Sequence, residues 1–181
     1  MMNIFLSILL GIAGIIALLL IIALFMRKQH YVKKQIIVNV PSSEAFNFLR
    51  LLKNQEKFNK WAKTDENRKE EFKGTDGTVG YIYSWSGNKS AGKGEKEIMN
   101  IVEGKRIETE IRFEKPMRIA ASVVMETDAV SEDQTKIILL NCGTLPYPLN
   151  IMIPMFEKNF GKDMDGSLST LKTLLEKRSL V

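Results

Sequence analysis

The longest hydrophobic segment of the chain begins at Ile4 and ends at Met26. It reads IFLSILLGIAGIIALLLIIALFM, with no charged side chain and Ser7 as its only polar one. A helix of this length spans about 34 Å, enough for a hydrocarbon core of about 30 Å. The alternative is a cleaved signal peptide, whose apolar region is usually only about 7–15 residues long and follows positive charges. The pattern therefore favours an uncleaved transmembrane anchor in residues 1–26.

A short basic stretch follows the anchor. Four basic residues and no acidic one lie between positions 27 and 34. Because positively charged flanks stay on the cytoplasmic side, we expect a single-pass membrane protein whose larger part faces the cytoplasm. Residues 27–32 are interpreted as a juxtamembrane joint. Residues 33–181 are expected to form one domain, since no repeat, low-complexity tract or linker divides them.

Beyond the anchor, alternation of apolar and polar residues predicts mainly β-strands. In residues 106–113, Ile, Thr, Ile and Phe alternate with Arg, Glu, Glu and Arg. This is typical of an antiparallel sheet with one covered face and one wet face. Gly, Pro, Asn and Asp between such segments indicate turns. Strands are predicted at 33–40, 68–73, 78–86, 93–102, 105–114, 117–128 and 134–143.

Helical spacing is clearest at the end of the chain. Two short helices are predicted after the first strand, one starting at Ser42 and one that holds Phe58 and leads to Trp61. The last helix, residues 155–177, is the only element long enough to cover the sheet. The order predicts an α+β fold in which a curved antiparallel sheet surrounds this helix. Its apolar stripe repeats every three or four residues: Phe156, Phe160, Met164, Leu168, Leu171 and Leu175.

Three aromatic residues occupy alternate positions in VGYIYSWSGNKSAGKG, residues 79–94, and so share one face of a strand. They are Tyr81, Tyr83 and Trp85. Facing the last helix, they either pack into a core or line a cavity. Gly92 and Gly94 across the turn, with Gly161 and Gly166 in the helix, favour the cavity by leaving room for it. The two helix glycines are otherwise tolerated defects, each costing about 1 kcal/mol relative to alanine.

Residues with useful chemistry are sparse. The same alternation places Lys96, Thr109 and Asn141 on the covered face. Lys96 either points inward or extends to the rim, and Asn141 binds either a ligand carbonyl or the backbone. One cysteine, Cys142, and one histidine, His30, cannot form a Cys/His zinc site. His30 is expected beside the anchor, outside the domain, so no residue is assigned a catalytic role and no metal or cofactor is expected.

Charge adds little to this interpretation. The net charge is +5, but the basic stretch beside the anchor supplies most of it, so the remaining chain is close to neutral. A nearly neutral domain is not typical of nucleic-acid binding, and no such partner is expected. The apolar, proline-interrupted segment LPYPLNIMIPMF, residues 145–156, is interpreted as a lid over the core. Alternatively, it forms the mouth of a cavity and touches the bilayer.

The domain resembles the START/polyketide-cyclase superfamily (SRPBCC), which has the helix-grip fold of birch-pollen-allergen-type proteins. The resemblance covers residues 32–177 and lies in the segments IVNVPSSEAFNFL, KFNKWAK, GYIYSWSGNKSAGKGEKEI and FGKDMDGSLSTLKTLLE. It implies a hydrophobic cavity between sheet and helix that can hold a lipid or another apolar molecule. It does not imply one activity, since members include lipid carriers, cyclases, hormone-binding proteins and chaperone regulators.

The sequence thus favours a membrane-anchored protein that binds a hydrophobic small molecule or lipid without transforming it. One alternative is a cyclase or dehydratase for an apolar substrate, which requires a buried polar residue with a shifted pKa in the cavity. The other is a protein-interaction or stress-response module whose cavity is filled by side chains. The residues expected to line the cavity are Tyr81, Tyr83, Trp85, Lys96, Thr109, Asn141, Phe156, Phe160 and Met164.

Overall fold

The computed structural model describes residues 4–61, 65 and 67–178. Within these residues an N-terminal helix precedes one antiparallel sheet, and a long helix follows it. The helices are α1 (Ile4–Phe25), α2 (Ser42–Leu49), α3 (Leu52–Phe58) and α4 (Ile153–Arg178), with a 3-10 helix (Leu149–Met152) directly before α4. The strands are β1 (Gln29–Val38), β2 (Lys69–Lys73), β3 (Ile82–Ser86), β4 (Lys93–Val102), β5 (Arg106–Lys115), β6 (Ile119–Ser131) and β7 (Gln134–Thr144).

The seven strands form a single sheet with the order β1-β7-β6-β5-β4-β3-β2. Strands β2 to β7 therefore each lie beside their neighbours in sequence, and β1 pairs antiparallel with β7. The sheet curves around α4, and the predicted helix-grip architecture is confirmed. The predicted strand 78–86 is shorter than expected because a turn around Gly80, at a φ of 84°, delays the start of β3 until Ile82.

The apolar stripe of α4 packs against the concave face of the sheet, as predicted. Met164, Leu168, Leu171 and Leu175 are all buried. The helix begins at Ile153, two residues earlier than expected, which places a proline in its first turn, where the missing N–H costs nothing. Partners of the stripe in the sheet include Val32, Val38, Val123, Met125, Ile137 and Leu139.

The first strand begins at Gln29, four residues before the predicted start. Residues 29–32, interpreted as part of a joint, therefore belong to the sheet. His30 and Val32 point inward and are buried, in register with β7. Lys34 has the same orientation, but its Nζ reaches Asp165 on α4 at 2.6 Å. The charged residues of this segment obscure the alternation of inward and outward side chains that continues from Val38 back to His30.

The N-terminal helix is long and apolar enough to cross a membrane, with a mean hydropathy of 3.2. By length and composition alone, a signal sequence would satisfy the same criterion. Its side chains are exposed apart from a few at the C-terminal end, where Ala23 is buried. The side-chain amide of Asn150 donates hydrogen bonds to the carbonyls of Ala23 (2.7 Å) and Met26 (3.0 Å). Because carbonyls at a helix end lack intrahelical partners, these bonds tie α1 to the domain.

The two glycines of α4 have different environments. A Cβ at Gly161 would lie 3.1 Å from Lys34 Cε and 3.6 Å from Val32 Cγ1, so this glycine permits close approach of α4 to β1. A Cβ at Gly166 would meet nothing within 4 Å. Close packing against the sheet therefore explains Gly161, while Gly166 is a tolerated defect.

Leu168→Ala tests the packing of α4. Leu168 is only 2% exposed, so its truncation should lower the free energy of unfolding by about 2–5 kcal/mol, as for other buried leucines. Chemical denaturation of the full chain in detergent measures this loss. The exposed neighbour Ser169→Ala is the matched control and should change stability by less than about 0.5 kcal/mol. An equally small effect at Leu168 would contradict the packing.

Candidate functional site

A cavity of about 330 Å³ lies between the concave face of the sheet and α4. Its wall is mostly apolar and comes from α3, the sheet and the first half of α4. Small-molecule sites usually have volumes of roughly 300–1,000 Å³, so the cavity is large enough for a small ligand.

One row of cross-strand neighbours forms the floor of this cavity. From β3 to β1 the row contains Tyr83, Lys96, Ile111, Ala121, Gly143 and His30. The residues between Lys96 and His30 carry small or apolar side chains. The floor therefore has an apolar middle with a nitrogen-bearing side chain towards each end.

Seven of the nine residues predicted from the sequence border the cavity. These are Tyr83, Trp85, Lys96, Asn141, Phe156, Phe160 and Met164. Tyr81 and Thr109 are buried elsewhere. Tyr81 packs with Leu52 and Ile98 in a separate small core, and the hydroxyl of Thr109 donates to the carbonyl of Val123 at 3.2 Å. Contact between the seven residues and a ligand remains a prediction.

Lys96 points into the interior and is only 6% exposed, so the alternative in which it extends to the rim is wrong. Its Nζ donates a hydrogen bond to Oε1 of Gln55 on α3. Burial lowers the pKa of Lys96, because a low-dielectric environment disfavours the ammonium ion. The negative charges of Glu56 and Asp76 oppose this shift.

His30 lies inside the domain, contrary to the sequence expectation. It is buried, and its Nε2 is 3.0 Å from Oδ1 of Asn141. Since a carbonyl oxygen only accepts hydrogen bonds, Nε2 carries the hydrogen. The oxygen of Asn141 thus accepts from His30 rather than from a backbone N–H, while a bond from its amide nitrogen to a ligand carbonyl remains a prediction. The ring of Phe156 contacts the imidazole edge-on, with the ring centroids 4.8 Å apart.

Gly92 and Gly94 do not leave space for a ligand, and that expectation is wrong. A Cβ at Gly94 would lie 2.8 Å from Cζ2 of Trp85 and 2.7 Å from the carbonyl oxygen of Arg112. Gly92 has a φ of 67°, and a Cβ there would collide with the carbonyl of Lys115. Gly94 instead makes room for the indole ring of Trp85, and Gly92 allows the turn to approach the end of β5 closely. The indole Nε1 donates to the carbonyl of Ala91 at 3.0 Å.

Charged residues flank the ring of Tyr83. Its hydroxyl donates to Glu70 at 2.9 Å, and Arg68 pairs with both Glu70 (2.8 Å) and Glu56 (2.9 Å). Burial raises the pKa of Tyr83, and the negative charges of Glu56 and Glu70 add to the effect. The phenol therefore stays protonated at neutral pH.

The contribution of α3 to the cavity has no signal in the sequence pattern. Gln55, Glu56 and Phe58 all border it, although α3 reads LKNQEKF and looks like a solvent-exposed turn of helix. Its polar side chains acquire buried partners only in the folded chain, so hydrophobic spacing carried no signal for them. The described residues contain no group of three or more His, Cys, Asp or Glu side chains suited to a metal ion.

The segment 145–156 covers one end of the cavity, as expected of a lid. Leu145 and Phe156 border the cavity. Tyr147, Met152 and Met155 have exposed side chains on the outside of the same segment. Contact of this outer surface with a bilayer remains a prediction.

Comparisons with known proteins identify the fold. No protein-family model and no curated protein matches the chain. Norcoclaurine synthase from Thalictrum flavum, a point mutant in complex with a transition-state analogue, is similar with a TM-score of 0.63 and 10% identity over 83% of this chain and 96% of that one. Ara h 8.0201 has a TM-score of 0.57 and 14% identity, covering 81% and 97%.

The Aha1 dimer from Colwellia psychrerythraea has a TM-score of 0.56 and 14% identity over 81% of this chain and 96% of that one. At such low identities the likeness concerns the fold alone. A curved antiparallel sheet, a long C-terminal helix and these structural neighbours lead to one conclusion: the chain has the helix-grip fold, preceded by one apolar helix.

Proposed function

We propose that this chain binds an apolar small molecule or a lipid in the cavity between the sheet and α4, and that α1 holds it at a membrane. The cavity of about 330 Å³ with its largely apolar wall is the observation that carries this proposal. Atoms that line an empty apolar space lose dispersion contacts, and water finds few hydrogen-bond partners there. A bound apolar ligand restores those contacts.

One structural neighbour supports the proposal. Norcoclaurine synthase, with the same fold, was solved in complex with a transition-state analogue, so in that protein the fold holds a small molecule. The volume of the cavity also argues against an interaction module whose interior is filled by side chains.

An enzyme is the second candidate function. It required a buried polar residue of shifted pKa in the cavity, and Lys96 meets that requirement. The two functions differ in the fate of the bound molecule. A ligand recovered unchanged after prolonged incubation with the protein supports binding, whereas a transformed product supports an enzyme.

The proposed anchoring places one end of the cavity beside the bilayer. Only three residues separate α1 from β1, and Asn150 ties the end of α1 to the 3-10 helix before α4. Phe156, in the first turns of α4, borders the cavity close to this junction. Exposed Met152 and Met155 nearby offer apolar contact to lipid. A hydrophobic ligand would then have a short path from the membrane.

Reporter fusions test the anchoring and its orientation. The basic stretch after α1 predicts that the domain faces the cytoplasm. A reporter active only in the cytoplasm, fused to the C-terminus, should therefore work, and the chain should remain in the membrane fraction with residues 1–26 uncleaved. Activity of a C-terminal reporter that works only outside the cytoplasm would show the opposite orientation. A mature chain that starts near residue 27 would refute the anchor.

Ala121→Phe tests the cavity as the binding site. The chain has two tryptophans, Trp61 and Trp85, and both border the cavity, so a bound brominated alkanol should quench their fluorescence. A phenyl ring at Ala121 would exclude at least two ligand methylenes, worth about 0.8 kcal/mol each, and should weaken binding about tenfold. Titration of the full chain in phosphatidylcholine nanodiscs measures the affinity.

The matched control is Ser122→Phe, the next residue of β6, whose side chain points to the opposite face of the sheet. It should bind like the unmodified protein. Equal affinity in all three proteins would place the binding elsewhere. Absence of saturable quenching in the unmodified protein would contradict the proposed function itself.

A further inference from the structure

Lys96 is the one lysine that borders the cavity among the described residues, and it lies near one end of the floor row, next to Tyr83. An ammonium group has three N–H donors. In the described part of the chain, Gln55 Oε1 is the only acceptor bonded to Nζ, and no ion pair joins Lys96 to a carboxylate. In its charged form this buried side chain, which borders the cavity, therefore keeps two further donors for a ligand.

The two carboxylates whose charges act on Lys96 are bonded to other donors. Glu56 pairs with Arg68 at 2.9 Å. The carboxylate of Asp76 accepts the backbone N–H groups of Leu52 (2.7 Å) and Lys53 (3.2 Å). Both acids act on Lys96 from a distance, without a direct contact. A buried ammonium in this position lacks the partner that usually compensates its loss of hydration.

The surroundings define the shape of a compensating ligand. Beside Lys96 the floor of the cavity continues through Ile111 and Ala121, and Met125, Leu139 and the aromatic side chains of α4 border the same space. A molecule that fits would place one polar group at Nζ and a hydrocarbon chain along the apolar floor. It is therefore an amphiphile with a single head group at its end.

The charge of the head group follows from the bases around it. Arg68 also borders the cavity, but its guanidinium already pairs with Glu56 and Glu70. Lys96 thus offers one compact positive charge, which matches one negative charge. A phosphate monoester would bring a second negative charge into the interior without a second free base, at a large desolvation cost.

We propose that Lys96 is a binding residue for the carboxylate of a fatty-acid-like ligand whose hydrocarbon chain occupies the cavity. This inference rests on the proposed function and specifies the ligand class. The carboxylate accepts hydrogen bonds from Nζ, while Gln55 keeps the ammonium oriented. Gln55 is itself fixed because its Nε2 donates to the carbonyl of Leu49 at 2.7 Å.

The test compares ω-bromo-octanoate with ω-bromo-octanol in the tryptophan-quenching titration, using the full chain in phosphatidylcholine nanodiscs. A hydrogen bond to a charged group contributes about 1.5–3 kcal/mol, so Lys96→Met should weaken octanoate binding by about tenfold or more. The affinity of the Lys96→Met variant for ω-bromo-octanol should change less than about threefold, because the apolar contacts remain. Methionine preserves the length and burial of the side chain.

Two further variants make the outcome specific. Lys93→Met removes an exposed lysine of the same strand, paired with Glu114, and should leave both affinities unchanged. Gln55→Glu supplies an internal carboxylate to Lys96 and should abolish the preference for octanoate while octanol still binds. Together these variants separate a site at Lys96 from a general loss of positive charge or of folding.

Each other outcome has a defined meaning. If Lys96→Met weakens both ligands equally or neither, or if Lys93→Met matches its effect on octanoate, the carboxylate site is refuted while the apolar cavity stands. If the unmodified protein binds octanol but not octanoate, Lys96 is a structural residue satisfied by Gln55. If neither ligand binds, the proposed function fails together with this inference.

Discussion

One helix, α4, has to cover the concave face of a seven-stranded sheet, and the main features of the domain follow from this constraint. A helix with its side chains is about 10–12 Å wide, whereas seven strands spaced by about 4.8 Å extend over roughly 29 Å. The sheet must therefore curve. Leu168, Leu171 and Leu175 fill the space near β1 and α2, but the aromatic start of α4 and the short α3 leave the cavity open beside Trp85 and Ala121.

The same geometry brings polar groups into a largely apolar interior. Lys96 and His30 lie on one cross-strand row, four strands apart. Among the described residues, each has one side-chain hydrogen-bond partner, Gln55 for Lys96 and Asn141 for His30. Burying a polar group costs free energy unless its hydrogen bonds are satisfied. These two side chains therefore indicate where polar atoms of a ligand would stabilise the complex most. Gly143 makes room for the imidazole ring in this row, since a Cβ at this position would lie 2.6 Å from Cε1 of His30.

Hydrophobic spacing predicted the parts of the structure that depend on local pattern. It identified the sheet, the stripe of α4 and the inward orientation of Tyr83 and Trp85, because alternation and helical repeats follow directly from backbone geometry. It failed where tertiary packing decides. His30 looked like part of a basic joint, and Gln55 looked solvent-exposed, since their burial depends on Asn141 and Lys96, far away in sequence. The sequence pattern also suggests open space at Gly94, because the close contact with the Trp85 ring becomes visible only in the folded structure.

Whether the cavity is occupied in the cell is the central question for this protein. Native mass spectrometry of the full chain, released gently from its own membranes, answers it most directly. The account predicts one additional apolar molecule per chain, removable by activation in the gas phase and identifiable by its mass. A spectrum that contains only the bare chain, both as isolated and after incubation with a total lipid extract, would contradict a ligand-binding cavity.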